Sequence, residues 1–340
     1  MKRNILIALL ALVTLTCWAQ EKSKVNPGWL WEISGNGLAR KSYLFGTCHG
    51  DGHSFTTEEV YGSISGLSDA MNEVEAVFLE HSIDPQHQPE MKLYKADEEK
   101  GRELVKKFYN PGAENIMPEG VSYESLFDSV SHFNELKQFM TDKMHDAEYW
   151  KKTPGYWSSR LGLYLSTMGQ TDVKFIDIVL AEEAQKRGKE TGGLESFAFA
   201  YSKLLPLYMD VTYLDTLPMK EQVQKLYALV KMCSDYTPFK NNTFHKEYIA
   251  NDTCRFSRFL EEDVDSINAI GIRPGESMSK MVEYQQQHLL LERNEAWIPN
   301  IEEYIASRPC MIAVGCRHLL GSNSLIVMLR RKGYSVTPVF

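Results

Sequence analysis

Two short apolar runs near opposite ends of the chain each stop at a glycine, and each glycine is followed three residues later by a histidine. The first is Ser42-Tyr43-Leu44-Phe45-Gly46-Thr47-Cys48-His49, and the second is Cys310-Met311-Ile312-Ala313-Val314-Gly315-Cys316-Arg317-His318. Apolar runs this short and this sharply bounded predict buried strands. Each leads through an amphipathic helical pattern into another strand. Thr56 to Val74 precedes Ala76-Val77-Phe78-Leu79-Glu80, and Ser324 to Lys332 precedes Tyr334-Ser335-Val336-Thr337-Pro338-Val339. Strand, helix, strand predicts parallel pairing. In open parallel sheets ligands sit beyond the carboxyl ends of the strands. His49, Glu80 and His318 all fall at such ends.

The remaining pattern fills in around these units. Trp29 to Ser34 alternates as a strand, Gly35-Asn36-Gly37 turns, and Lys41 to Gly46 returns, which predicts a β-hairpin. Thr56 is a candidate N-cap with Glu59 completing a capping box, and the helix is expected to run to about Glu73. Asp84 to Trp150 reads as charged and helical, and Lys174 to Arg187 as an amphipathic helix stopped by Gly188. Thr191-Gly192-Gly193-Leu194-Glu195 reads as a tight connection. A helical insertion is expected over about 197–275. Glu276 to Ser307 reads as one long helix kinked at Pro299. The expected fold class is α/β, with two βαβ-containing halves around a central cleft and helical insertions.

Composition narrows the function. The chain has 340 residues, 43% hydrophobic and 24% charged, enough to bury a sizeable core. A net charge of −8 offers no basic footprint for nucleic acid. Met1-Lys2-Arg3, the apolar stretch Ile5 to Leu15 and Cys17-Trp18-Ala19 read as a secretory signal peptide over residues 1–19. The mature chain is then 20–340, secreted or periplasmic. Lipidation at Cys17 is the less favoured alternative, because Thr16 fits that signal poorly. No later run is apolar and long enough to span a bilayer. Cys48, Cys233, Cys254, Cys310 and Cys316 remain after cleavage, and Cys233 with Cys254 is the favoured disulfide pair.

Two imidazoles and a carboxylate are suitable ligands for a divalent cation with open positions for water and substrate. His49, Glu80 and His318 are the candidates. The plain alternative leaves each as a hydrogen-bonded residue at a strand end. Cys48 and Cys316, each beside one of these histidines, offer a rival thiol nucleophile, although buried packing is the commoner role of such cysteines. His53 could add a ligand, but a loop histidine is more often solvated. His81 is expected to face away from Glu80 by strand alternation. His245 reads as a surface residue. Arg293 could bind a carboxylate or an oxyanion, its local alternative being an exposed pair with Glu292 or Glu295. Glu195 could be a base, its default being a solvated turn carboxylate.

The ordered set Tyr43 to His49, Val77-Phe78-Leu79-Glu80, Gly193-Leu194-Glu195-Ser196, Arg293-Asn294 and Ala313 to His318 resembles the TraB/GumN family, which includes the Tiki metalloproteases. The family is similar in fold to erythromycin esterase and ChaN-like proteins. The resemblance runs from about Trp29 to Phe340. It implies His49 and His318 as metal ligands with Glu80 as the acidic member, and Arg293 and Asn294 lining the site. One departure is Arg317, where many family members carry a small residue. The resulting expectation is a metal-dependent hydrolase using Mn, Co or Zn, acting on a peptide. A small ester, or metal or haem binding without catalysis, stands as the alternative. Glu195 is the candidate for supporting or base work. The sequence leaves the oligomeric state open.

Overall fold

The structure, a computed structural model, describes residues 26–49, 53–82, 84, 88–89, 91–109, 112, 115–167, 173–209, 217–235, 243–269 and 282–340. The expected signal peptide lies outside the described residues. The chain is α/β. Among the described residues the strands are β1 (Leu30–Gly35), β2 (Ser42–Thr47), β3 (Ala76–Leu79), β4 (Glu190–Gly193), β5 (Cys310–Gly315) and β6 (Tyr334–Pro338). They form one mixed sheet in the order β4-β3-β5-β2-β1-β6. β4, β3, β5 and β2 are mutually parallel, and β1 runs antiparallel between β2 and β6. The two glycine–histidine strands thus lie side by side, with Thr47 opposite Gly315.

Alternation buries both faces of the sheet. Tyr43, Phe45, Val77, Leu79, Met311 and Ala313 pack on one face against Met71, Val179, Leu180 and Tyr248. Leu44, Ala76, Phe78, Ile312 and Val314 pack on the other against Trp297, Ile301, Leu325 and Leu329. A side chain of this size, fully buried, contributes about 1.5–3 kcal/mol, so the sheet is fixed from both sides. A separate helical core gathers Tyr123, Leu136, Phe139, Trp157, Leu161, Val223 and Val230. The pieces of the expected insertion go to different places. The helix Met219–Asp235 joins this helical core, while Tyr248 and Phe256 join the sheet's first face.

Several local expectations are corrected. The helix after Thr56 is two helices, Thr57–Ser63 and Leu67–Glu73, separated by Gly66 at φ 73°. The helix before β5 carries a π-helical turn, Gln285–Leu291, between α-helical residues 282–284 and the helix Glu292–Ser307, which has Pro299 inside it. Thr191 to Gly193 is the edge strand β4 rather than a connection. No disulfide joins Cys233 and Cys254.

The glycines of β4 let its end approach the turn beyond β3. A Cβ on Gly193 would lie 2.5 Å from the Ser82 backbone nitrogen and 3.0 Å from the His81 carbonyl carbon. Backbone cannot swing aside as a flexible side chain can. Gly193→Ala is therefore expected to destabilise by about 1–3 kcal/mol, the usual cost of overpacking, measured by urea unfolding.

Candidate active site

Glu80 is the residue that follows β3, and the alternation that puts Leu79 on one face turns Glu80 to the other. There it meets the helix Glu292–Ser307. Its Oε1 accepts the Gly315 backbone N–H (2.7 Å), and a Cβ on Gly315 would come within 3.1 Å of that oxygen. The missing side chain at Gly315 is thus what lets the carboxylate dock on the end of β5. Its Oε2 accepts from Arg293 Nη2 (2.5 Å). Arg293 also holds Glu195, through Nε at 3.1 and 3.2 Å and through Nη2. Glu195 follows β4, is completely buried, and accepts the Trp297 indole N–H at 2.9 Å. It is neither solvated nor in a loose turn, and Arg293 pairs with neither Glu292 nor Glu295.

His318 lies in the short 3₁₀ turn Cys316–Leu319 after β5, against Trp297, and is 4% exposed. Asn294 Nδ2 donates to the Asn323 carbonyl (2.9 Å), which turns its Oδ1 to His318 Nδ1 at 2.6 Å. An amide oxygen only accepts, so this network assigns the proton to Nδ1 and the lone pair to Nε2. Nε2 lies 3.6 Å from Glu80 Oε1 and 3.4 Å from Arg293 Nη1.

The electrostatics follow from this packing. Burial, with Arg293 adding to it against Glu80, pushes the His318 pKa down to about 3, so the ring is neutral. Burial alone would raise both carboxyls. The Arg293 guanidinium outweighs it and holds Glu80 well below, and Glu195 below, the usual carboxylate range. Two carboxylates, one guanidinium and a neutral imidazole form the centre, and the Arg317 and protonated His49 cations also act on it.

His49 stands on the other side of the strand ends. Its Nε2 is 2.9 Å from Asp177 Oδ2, its ring stacks on Phe175, and its side chain is 48% exposed. Thr47 Oγ1 donates to the other Asp177 oxygen at 3.1 Å. Desolvation opposes charge on His49, but Asp177, helped by Glu80, outweighs it and raises the pKa to about 9. The interaction runs in both directions, since His49 also lowers the Glu80 pKa. With an unfolded histidine near 6.5, stability from this pair is fully present below about pH 6.5 and lost as pH rises through about 9. Native protein should therefore weaken over that window in urea-unfolding titrations, and His49→Gln should lack this component. High salt should shrink the difference, because the His49 side chain is half exposed.

His81 contradicts its expected outward orientation. β3 ends at Leu79, so alternation no longer governs position 81. His81 Nε2 lies 3.2 Å from Glu195 Oε1, and the ring stacks on Phe197. Among the described residues, His81 Nε2 and Asp177 Oδ2 are buried without a well-oriented hydrogen bond, although each sits beside a charged group. Arg317 reaches Gln285 in the π-helical turn (3.0 Å). Cys48 and Cys316 are buried, and burial pushes the Cys316 thiol up to about 12. A thiol so protonated is a poor nucleophile.

Among the described residues, two groups of three ligand-type side chains place one donor atom each within 4.8 Å of the others: Glu80, His81 and Glu195, and His53, Glu59 and His245. The donors fit a divalent cation by their chemistry. Near Glu80 they comprise anionic oxygens, the Nε2 lone pair of a neutral imidazole, and an orphaned imidazole nitrogen on His81. His81 and Asp177 were missed in the sequence. The one signal for His81 was adjacency to Glu80, and for Asp177 its place in the first turn of the helix Ile176–Lys186.

Fold and site together define an α/β protein with a buried carboxylate–imidazole–guanidinium centre at the carboxyl ends of parallel strands. The TraB/PrgY/gumN family profile matches residues 29–338, and the chain belongs to that family. It is 26% identical over 202 residues to "Metalloprotease TIKI1" from Danio rerio, covering 55% of this chain and 38% of the relative. Against "Metalloprotease TIKI1" from Xenopus tropicalis it is 24% identical over 199 residues, with the same coverage of 55% and 38%. The match thus spans well under half the length of these curated relatives. No solved structure matches. No helix among the described residues is long and apolar enough to cross a membrane.

Proposed function

We propose that this chain is a metal-dependent hydrolase acting on peptide bonds outside the cytoplasm, with its cation held at the strand ends by His318, Glu80 and His49. The observation that carries this reading is His318: neutral, its Nδ1 proton committed to Asn294, its Nε2 lone pair facing Glu80 Oε1 at 3.6 Å and Arg293 Nη1 at 3.4 Å. Similarity to two metalloproteases supports peptide as the substrate class. Mn, Co or Zn held there would supply Lewis-acid chemistry, acidifying a water and polarising a carbonyl. The chain's own residues do the rest. Asn294 fixes the His318 tautomer, as outer partners of metal-binding histidines do. Arg293 keeps Glu80 and Glu195 ionised and offers a guanidinium to a developing oxyanion. Glu195, with both oxygens bound by Arg293 and Trp297, acts as a positioning residue. His49 would join as a ligand only as the neutral imidazole, after giving up the proton that Asp177 stabilises beside its Nε2.

The test is a panel of peptides and small esters, with and without chelator and restored Mn²⁺, Co²⁺ or Zn²⁺. Peptide cleavage that chelator removes and metal restores is expected. Ester cleavage alone would move the assignment to an esterase, and full metal occupancy without turnover to a binding protein. Chelator-resistant activity lost in Cys48→Ser or Cys316→Ser would sink the metal reading.

A further inference from the structure

We propose that His53, Glu59 and His245 form a second divalent-cation site, suited to Zn²⁺ and separate from the centre at Glu80 and His318. Three distant stretches of sequence build it. His53 lies in the loop after β2, Glu59 in the helix Thr57–Ser63, and His245 in the helix Thr243–Ile249. The two imidazoles stack with centroids 3.5 Å apart and planes at 25°. Both turn the same atom, Nε2, to one carboxylate: His53 to Glu59 Oε2 at 3.2 Å and His245 to Glu59 Oε1 at 2.6 Å. One donor atom from each of the three lies within 4.8 Å of the others. Tetrahedral metal–nitrogen bonds near 2.0–2.1 Å put donors about 3.3 Å apart, so the donor spacing suits an ion, and the two stacked rings must tilt toward each other to close on it.

The surroundings favour a cation over a solvated triad. Side-chain exposure is 24% at His53, 26% at Glu59 and 11% at His245, leaving the site partly shielded yet open to water. Phe55 sets its edge against both imidazoles, at 5.1 and 5.3 Å, forming an apolar wall. Glu59 is held in place because its backbone N–H is capped by Thr56 Oγ1 (3.1 Å). Two imidazoles and one carboxylate leave a fourth tetrahedral position for water, and they select a borderline-soft ion over Ca²⁺ or Mg²⁺, which take oxygen ligands. Bound metal would clip the helix Thr243–Ile249 to the rim of the sheet. That helix already reaches the sheet through Tyr248, whose hydroxyl donates to the Gly46 carbonyl (2.6 Å).

The experiment is a Zn²⁺ titration of the full chain carrying His318→Ala, read by elemental analysis after dialysis and by the shift in Tm. One retained Zn²⁺ and a raised Tm are expected, because an ion that binds only the folded state stabilises it. His53→Gln, Glu59→Gln or His245→Asn, each added to that background, should abolish both. The loss in affinity should exceed the 10–100-fold (about) that removal of an outer partner costs. His53→Gln, in a loop, is the variant least able to disturb folding, and circular dichroism checks all three. Ca²⁺ and Mg²⁺ should give no Tm shift. Unchanged Zn²⁺ content and Tm shift in the folded triad variants would overturn the proposal. So would a His318→Ala chain that takes up no Zn²⁺. Neither outcome touches the reading of the first site, which rests on His318 rather than on this triad.

Discussion

Arg293→Ala is expected to cost the folded protein about 3–5 kcal/mol, the range found when one partner is removed from a buried ion pair. The cost arises because Glu80 and Glu195 remain buried without their guanidinium. Among the described residues no other side-chain cation touches both, and Glu195 keeps the Trp297 N–H and the nearby His81. The pH dependence carries a sign. In the native protein both carboxyls titrate below the unfolded range, so their stabilisation is present above about pH 4.3 and lost as pH falls through the depressed folded pKa values. Without Arg293, burial would raise the same pKa values, and the penalty would fade as the carboxyls take up protons toward pH ~4. The gap between native and Arg293→Ala should therefore be widest near neutrality and narrow on acidification. Arg293→Lys keeps the charge but cannot reproduce a fork that engages Glu80 and Glu195 together, so it should fall between. A difference under about 1 kcal/mol at neutral pH, the worth of an exposed pair, would mean that the guanidinium does not hold this centre.

His318→Ala is expected to abolish peptide hydrolysis. It removes an imidazole whose tautomer, charge and direction are all fixed by neighbours: Asn294 on one nitrogen, burial around the ring, Glu80 and Arg293 beyond the other nitrogen. The ring is buried against Trp297, so this truncation also leaves a void and should lower stability, unlike a substitution at an exposed rim. Activity and stability must therefore be separated. Asn294→Ala serves that purpose. It keeps the ring but frees the Nδ1 proton, and losing such a partner typically costs 10–100-fold (about) in metal affinity or activity. A kcat collapse in His318→Ala with a graded loss in Asn294→Ala, measured at a temperature where both are folded, supports ligation. Equal, stability-tracking losses in both variants would mark a purely structural histidine.

Much of this architecture was legible because it is local. Bounded apolar runs mark β2, β3 and β5 as buried strands, and glycine marks where β2 and β5 end. Glu80 and His318 follow directly from that. Strand order was not legible. β5 enters between β2 and β3 from more than two hundred residues away, and no local pattern encodes such pairing. β4 escaped because Thr191-Gly192-Gly193 has no apolar run. Its glycines pack under Phe78 and against the turn at Ser82, a tertiary reason for a residue type that reads as a turn. The solvated-turn default for Glu195 fails for the same reason, since it follows a strand that no local pattern marks. The partners of Arg293 are 213 and 98 residues distant, while helical spacing pointed to its sequence neighbours. His245 looked peripheral on a polar helix, yet it is 8% exposed and shares a carboxylate with His53.

The central claim is a cation site built on His318, and metal stoichiometry tests it most directly. The chain should be purified with Glu59→Gln, so that the His53–Glu59–His245 cluster does not contribute, then loaded with Mn²⁺, Co²⁺ or Zn²⁺, dialysed and analysed for bound metal. The account predicts about one equivalent of at least one of these metals, and its loss when His318→Ala is added. Metal content unchanged by His318→Ala, or no bound metal in a folded and hydrolytically active chain, would contradict it.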